Sequence, residues 1–238
     1  MYWVPTWPSG SNSAALIVWI DSLFGRVASY DGQRLSLHRL PGQKNGAELA
    51  VQVGQLWHAH RADRRWHILV NVGPGSFTGL KVGLGSVHAM HDWLGAQGVE
   101  LQIAGLRSTV ALWLALGSPA GTTAALSANP GRAFAEAIDG RCAADHEPED
   151  TLWTELRARA LCVAESDTAA RSQLESLGMN YRTVSGDDVA RGIMEYARRG
   201  ELTPWLVAAE PCYVRQPRID TSNDWRKRML GWDSPEPA

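Results

Sequence analysis

Residues 66–97, WHILVNVGPGSFTGLKVGLGSVHAMHDWLGAQ, decide the fold. Trp66 to Val72 is a short, continuous apolar run, the pattern of a buried strand. Gly73 to Thr78 is a glycine-bearing loop. The spacing then predicts a helix from about Gly79 to Gln97, with Leu80, Leu84, Val87, Met90 and Leu94 on one face. Gly73, Gly75 and Gly79 permit positive φ and close backbone approach. Ser76 or Thr78 can cap the helix, and the free N–H groups of a helix start can hold an anion. Neither common phosphate fingerprint fits. Pro74 stands five before Gly79, where a P-loop needs glycine, and Leu80 follows where it needs lysine. The glycine spacing is GxGxxxG rather than GxGxxG. A tight turn with a cap and an anion site both remain open readings of this loop.

Working outward, Ala15 to Asp21 reads as a buried central strand, followed by strands at Phe24 to Tyr30 and Gln33 to Leu40 around the Asp31-Gly32 turn. A helix is predicted over 46–60, its apolar stripe formed by Leu49, Val53, Leu56, Trp57 and His60. Leu101 to Ala104 is a short strand, and Arg107 to Leu116 a helix stopped by Gly117 and Pro119. The order β-β-β-α-β-α-β-α is that of the ribonuclease H and actin-like ATPase architecture, a mixed sheet with packed helices. The second half repeats it more weakly. Thr122–Ala128 and Arg132–Ile138 form a hairpin around Asn129-Pro130-Gly131. An acidic loop, Asp139 to Asp150, precedes helix, strand, helix, strand and helix at 151–157, 159–164, 167–177, 181–184 and 187–199. Ser185 and Asp188 open the last helix with a capping-box pattern.

The expected fold class is therefore α/β, with two ribonuclease H-like or actin-like domains. The expected boundaries are a mobile arm at 1–13, a first domain at 14–105, a second at 106–216 and a polar tail at 217–238. The arm carries Tyr2, Trp3 and Trp7, which can dock on a partner or on the protein itself.

Composition narrows the function. The chain has 238 residues, 45% apolar and 20% charged, with a net charge of −2. Such a chain is globular and does not coat nucleic acid by bulk charge. No apolar run is longer than the seven residues of Ala14–Ile20, far too short to span a membrane. The first residues lack the basic-then-apolar pattern of a secretory signal. Three widely spaced cysteines form no CxxC pair, which suits a reducing, cytoplasmic setting.

The segment GPGSFTGLKVGLGS closely resembles the G-x-GSFTGLR-x-G signature of the bacterial TsaB proteins. These are the dimerization subunits of the machinery that makes threonylcarbamoyladenosine beside the tRNA anticodon. Lys81 stands where the family usually has arginine. VWIDS at 18–22 resembles the family's opening strand, ending in an Ile-Asp pair at Asp21. AGLRSTVALWLAL at 104–116 resembles the segment ahead of the second domain. PCYVR resembles the late P-x-YLR, matching Pro211, Tyr213 and Arg215. The resemblance covers roughly 14–216. Two places depart from it. Lys44-Asn45-Gly46 replace a His-Ser or His-Thr pair, and Ser127 to Phe134 lack the Asp-Ala-Arg hairpin.

The resemblance implies an actin-like, two-domain fold without a working ATP site. It implies pairing with a catalytic TsaD-like subunit through first-domain helices, with a TsaE-like ATPase joining the complex. Transfer RNA is then met only through the complex, and ATP and metal belong to the partner. On this reading Gly73, Gly75, Ser76, Phe77, Thr78, Gly79, Leu80, Lys81, Gly83, Leu84 and Val87 shape the partner interface. The same helix faces can instead cover their own sheet.

Other chemistries fit less well. Asp21 and Glu48 begin a nuclease-like carboxylate set, but Asn71-Val72-Gly73 adds no third, and Asp92 lies on the polar side of a helix. His58 and His60 diverge on a helix. His88 and His91 share a face with no completing ligand. Ser76 has no nameable base for proteolysis. Arg226-Lys227-Arg228 beside Trp225 could touch phosphate, but Asp220, Asp224 and Asp233 surround them. The alternatives to an accessory subunit are a divergent actin-like ATPase or small-molecule kinase, and a stand-alone homodimeric scaffold.

Overall fold

The computed structural model describes residues 16–21, 24–40, 46–60, 65–140, 142–143 and 146–214. The arm, the tail and Arg215 lie outside these residues. Three strands open the chain: β1 (Leu16–Asp21), β2 (Arg26–Tyr30) and β3 (Leu35–Arg39). They pair antiparallel, with Asp21 opposite Arg26 and Tyr30 opposite Leu35. Helix α1 (Gly46–His60) leads to β4 (Arg65–Asn71), which pairs parallel with β1. Helix α2 (Phe77–Ala96) leads to β5 (Glu100–Leu106), parallel to β4. The sheet order is β3-β2-β1-β4-β5.

Helix α3 (Ser108–Ala115) leads into the second half. There β6 (Thr122–Ser127), β7 (Arg132–Ile138) and β8 (Glu149–Leu152) pair antiparallel, and β9 (Ala160–Ala164) and β10 (Tyr181–Val184) extend the sheet in parallel. Helix α4 (Thr168–Ser176) joins β9 to β10, and α5 (Gly186–Arg199) follows. The order β10-β9-β6-β7-β8 is the first sheet's order again, strand for strand. The α/β fold of two mixed sheets with packed helices is as expected.

One element differs from its sequence expectation. Residues 151–157, predicted helical, are the end of β8 and one 3-10 turn, Trp153–Leu156. Pairing decided this: Arg132 on β7 donates from Nε to Asp150 Oδ1 at 2.8 Å, holding the segment extended. The apolar spacing of Trp153 and Leu156 then serves a single buried turn.

The molecule is layered. Alternate residues of β1 and β4 (Leu16, Val18, Ile20, Trp66, Ile68, Val70) face α1 and α2. The opposite residues Trp19 and Leu69 enter a core built with α3 and α5 between the two sheets. Beyond the second sheet, Ala170 and Leu174 of α4 cover Leu161 and Val163. The central helices are exchanged. Helix α3, from the first half, packs on β6, β7 and β9, while α5 packs on β1, β2 and β3. They cross closely at Gly192, where an added Cβ would lie 2.8 Å from Ala115 Cα. Late in the chain Val207 pairs antiparallel with Gly105, so a strap closes the edge of β5. At Gly105 an added Cβ would stand 2.5 Å from the Ala208 carbonyl oxygen.

Candidate functional site

The motif loop is built on the carboxyl ends of β1, β4 and β5. Asp21 is fully buried, and its Oδ1 accepts from the Phe24 amide at 2.9 Å and from Asn71 Nδ2 at 3.3 Å. Asn71 Oδ1 accepts from the Gly73 amide at 2.9 Å and from Ser108 Oγ at 2.7 Å. The Ser108 amide donates to the Gly73 carbonyl at 2.7 Å. A buried carboxylate and amide thus hold three strand ends together, as buried polar groups require. Asp21 has this structural role in full view.

Gly73 has φ 103°, and an added Cβ would sit 3.0 Å from Leu80 Cδ1 and 3.1 Å from the Cys212 carbonyl oxygen. Only glycine suits that position. The Cys212 amide donates to the Val72 carbonyl at 2.7 Å. The late segment Pro211–Tyr213 is therefore seated directly behind the glycine loop, with Pro211 half-buried and Tyr213 exposed. These two motifs, far apart in the chain, form one unit.

Ser76 is the N-cap of α2, and its Oγ accepts from the Gly79 amide at 3.3 Å. The helix begins at Phe77, two residues earlier than the spacing predicts, because Ser76 and not Thr78 makes the cap. The side chain of Phe77 lies outside the described set. Thr78 and Lys81 are exposed, and Gly79 and Gly83 are buried. Leu80, Leu84 and Val87 are 1%, 5% and 0% exposed. Leu84 and Val87 pack among the residues of the first sheet's outer core. Leu84 and Val87 thus cover their own sheet, and Leu80 is buried beside Gly73.

Opposite the loop lies the matching part of the second half. A cleft of about 360 Å³ runs between Phe24 and Pro74–Ser76 on one side and Ser127, Phe134 and Asp167–Ala169 on the other. Asp167 caps α4, its Oδ1 accepting from the Ala170 amide at 3.0 Å. The same carboxylate takes Ser127 Oγ at 2.6 Å and the Ser127 amide at 2.7 Å. Both helix starts facing the cleft are therefore capped by their own side chains. Among the described residues that line it there is no lysine, arginine or histidine.

Sequence reasoning missed a second buried network. Arg107 and Glu136 are 5% and 2% exposed. Arg107 Nη2 donates to Glu136 Oε1 at 2.6 Å and to the Ala143 carbonyl at 3.0 Å. Its Nη1 donates to the His146 carbonyl at 2.6 Å. The Thr109 hydroxyl donates to Glu136 Oε2. Burial pushes the Glu136 carboxyl up, against the opposing pull of Arg107 and the Thr109 hydroxyl. The pair ties the start of α3 to β7 and to the acidic loop. Nearby, Glu147, Glu149 and Glu155 line a polar hollow of about 410 Å³ with Arg159 and His146. Among the described residues no group of His, Cys, Asp and Glu side chains could hold a metal ion. No helix among them is long and apolar enough to cross a membrane.

No family model matches the chain, and no curated relative does. Solved structures do. YeaZ from Pseudomonas aeruginosa superposes with a TM-score of 0.54 at 16% identity, over 83% of this chain and all of that one. A second structure, described as an uncharacterized protein with similarity to peptidase YEAZ from Pseudomonas aeruginosa, gives 0.53 at 16%. It covers 85% of this chain and 100% of its own. At that identity the likeness speaks for architecture alone: this chain has the two-sheet fold of YeaZ.

Proposed function

We propose that the chain is a non-catalytic subunit that binds and activates a TsaD-like transferase in threonylcarbamoyladenosine modification of tRNA. A TsaE-like ATPase joins the complex, and ATP and metal act on the partner. The observation that carries the reading is the inter-sheet cleft. Its two helix starts are capped by Ser76 and Asp167, and none of its described lining residues is a cation. The glycine motif beside it is fully engaged in shaping its own loop. A shaped loop beside a cleft whose described lining holds a carboxylate and no cation supports a role in pairing. The likeness to YeaZ, a TsaB protein, supports the same direction.

Pairing is assigned to the outer surface of α1 and α2. Val51 of α1 and Trp93 of α2 are 52% and 43% exposed, and Lys81, His88, Ala89 and Asp92 of α2 are exposed as well. A stable pairing buries at least ~1,000 Å² with an apolar centre. The test is affinity capture of the tagged chain from its own cells, followed by reconstitution. A TsaD-like protein and a TsaE-like ATPase should co-purify, and Ala89→Glu should weaken that recovery without lowering the melting temperature. Tight, magnesium-dependent ATP binding by the lone chain would overturn the non-catalytic reading in favour of a divergent kinase. Recovery of this chain alone, with a TsaD-like protein detectable in the lysate, would favour a homodimeric scaffold.

A further inference from the structure

The outer face of the second sheet carries a hollow where the first sheet carries a helix. On the first sheet α1 fills this place, its Leu49 and Val53 sharing one core with Val18 and Val27. On the second sheet β8 is followed by the single turn Trp153–Leu156, and a hollow of about 410 Å³ remains. Hollows of ~300–1,000 Å³ hold small organic ligands.

Its lining is polarised. The strands run β9-β6-β7-β8 across the sheet. Arg159 immediately precedes β9, and Glu149 begins β8. The two strands are three spacings apart, ~14 Å. Between them Thr123 of β6 stands opposite Ala137 of β7, and both line the hollow. Glu147 joins Glu149 in the lining. Glu155 is already engaged, accepting from the Thr151 hydroxyl and from the Leu152 amide at 3.3 Å. Among the described residues Glu147, Glu149 and Arg159 make no side-chain hydrogen bond or ion pair.

The floor adds a second, independent observation. Thr123 is 2% exposed. It faces the same side of the sheet as Ala125, two residues on, which is the side of the hollow. Its hydroxyl has no hydrogen-bond partner among the described residues. A buried hydroxyl left unpaired is costly, and a ligand in the hollow would pair it.

The groups left for a ligand are two carboxylates on one side, one guanidinium on the other and a hydroxyl between. Two carboxylates against one guanidinium leave one net negative charge. No group of side chains among the described residues could hold a metal ion, so separated charges on an organic molecule suit the site better than a point cation. We propose that the hollow binds a small zwitterion with one net positive charge, of the basic amino-acid class. Its carboxylate meets the fork of Arg159, its two cationic groups meet Glu147 and Glu149, and Thr123 bonds it from below. The inference does not rest on the pairing role, and its test uses the lone chain.

The test is calorimetric titration of the chain with L-lysine, which should bind saturably. Glu149→Gln and Arg159→Gln should each weaken binding about tenfold, the weight of one charged hydrogen bond. Both residues are exposed, so the melting temperature should not move. Thr123→Val should weaken binding about threefold without lowering the melting temperature, since that hydroxyl has no internal bond to lose. Cadaverine, which is lysine without its carboxylate, should bind about tenfold more weakly than lysine, and Arg159→Gln should not weaken it further. Absence of saturable lysine binding overturns the proposal. So does an affinity that is the same in all three variants, because the ligand then sits elsewhere. Equal affinity for lysine and cadaverine overturns it as well, because the carboxylate is then not read.

Discussion

The two sheets share one strand order and solve the same problem with opposite residues. At the end of β1 the carboxylate belongs to the first strand, and Asn71 beside it supplies the amide. At the end of β6 the first strand supplies Ser127, and the carboxylate, Asp167, sits beyond β9. In the first half the acid is sealed away from the cleft. In the second half it lines the cleft and caps α4. Repeated topology therefore fixes where a polar crosslink is needed but not which side bears the charge. The connections differ as well. Fifteen-residue α1 joins β3 to β4, whereas a single 3-10 turn joins β8 to β9. The first half thus has two outer helices, α1 and α2, where the second has α4 alone among the described residues.

The strongest way to break the correspondence is to cut the link between halves. Arg107→Ala leaves Glu136 buried without its cation and should cost about 3–5 kcal/mol, read from the denaturant midpoint. Arg107→Met with Glu136→Leu should recover most of that loss, since removing both charges leaves nothing unpaired. Gly192→Ala forces a methyl into the α3–α5 crossing. It should cost about 1–3 kcal/mol by overpacking, seen as a lower melting temperature.

The two caps sharpen the comparison. Asp167→Ala removes a cap and two bonds to Ser127, and should cost about 2 kcal/mol. Ser76→Ala removes one long bond and should cost about 0.5 kcal/mol. Equal losses in denaturant melts would mean that the two helix starts are energetically equivalent after all.

The smallest effect lies at the far end of α5. Arg198 and Arg199 hold the exposed Glu195 carboxyl down to about 2, against 4.5 for the free group. The depressed value means that its contribution is present above pH ~4.5 and is lost as pH falls toward about 2. Amide protection factors at 195–199, corrected for intrinsic exchange at each pH, should fall over that window, and Glu195→Gln should remove the dependence.

Much of this was legible in the sequence. The helix at 46–60 was readable because Leu49, Val53 and Leu56 repeat at helical spacing and are all buried. The Asn129-Pro130-Gly131 turn located its hairpin, whose strands pair from Thr122–Ile138 to Ser127–Ala133. Local signals carried these elements. Longer-range ones did not carry. Nothing near Arg107 announces Glu136, because the pairing depends on how α3 seats on the other half's sheet. Leu84 and Val87 read equally well as core or as interface, since an apolar stripe does not say what covers it. The glycine loop was visible as a turn. That Cys212 stands behind it was not, because the two meet only through the strap.

That strap has a consequence for synthesis. Strand β5 is complete at Leu106, but its open edge is bridged at Gly105 by Val207, about a hundred residues later. At typical elongation rates the nascent chain carries an unpaired strand edge for roughly 5–20 s. Helix α5, which covers β1 to β3, also arrives in this interval. The half made first is thus the half finished last, and its bare edge is a template for wrong pairing on the ribosome.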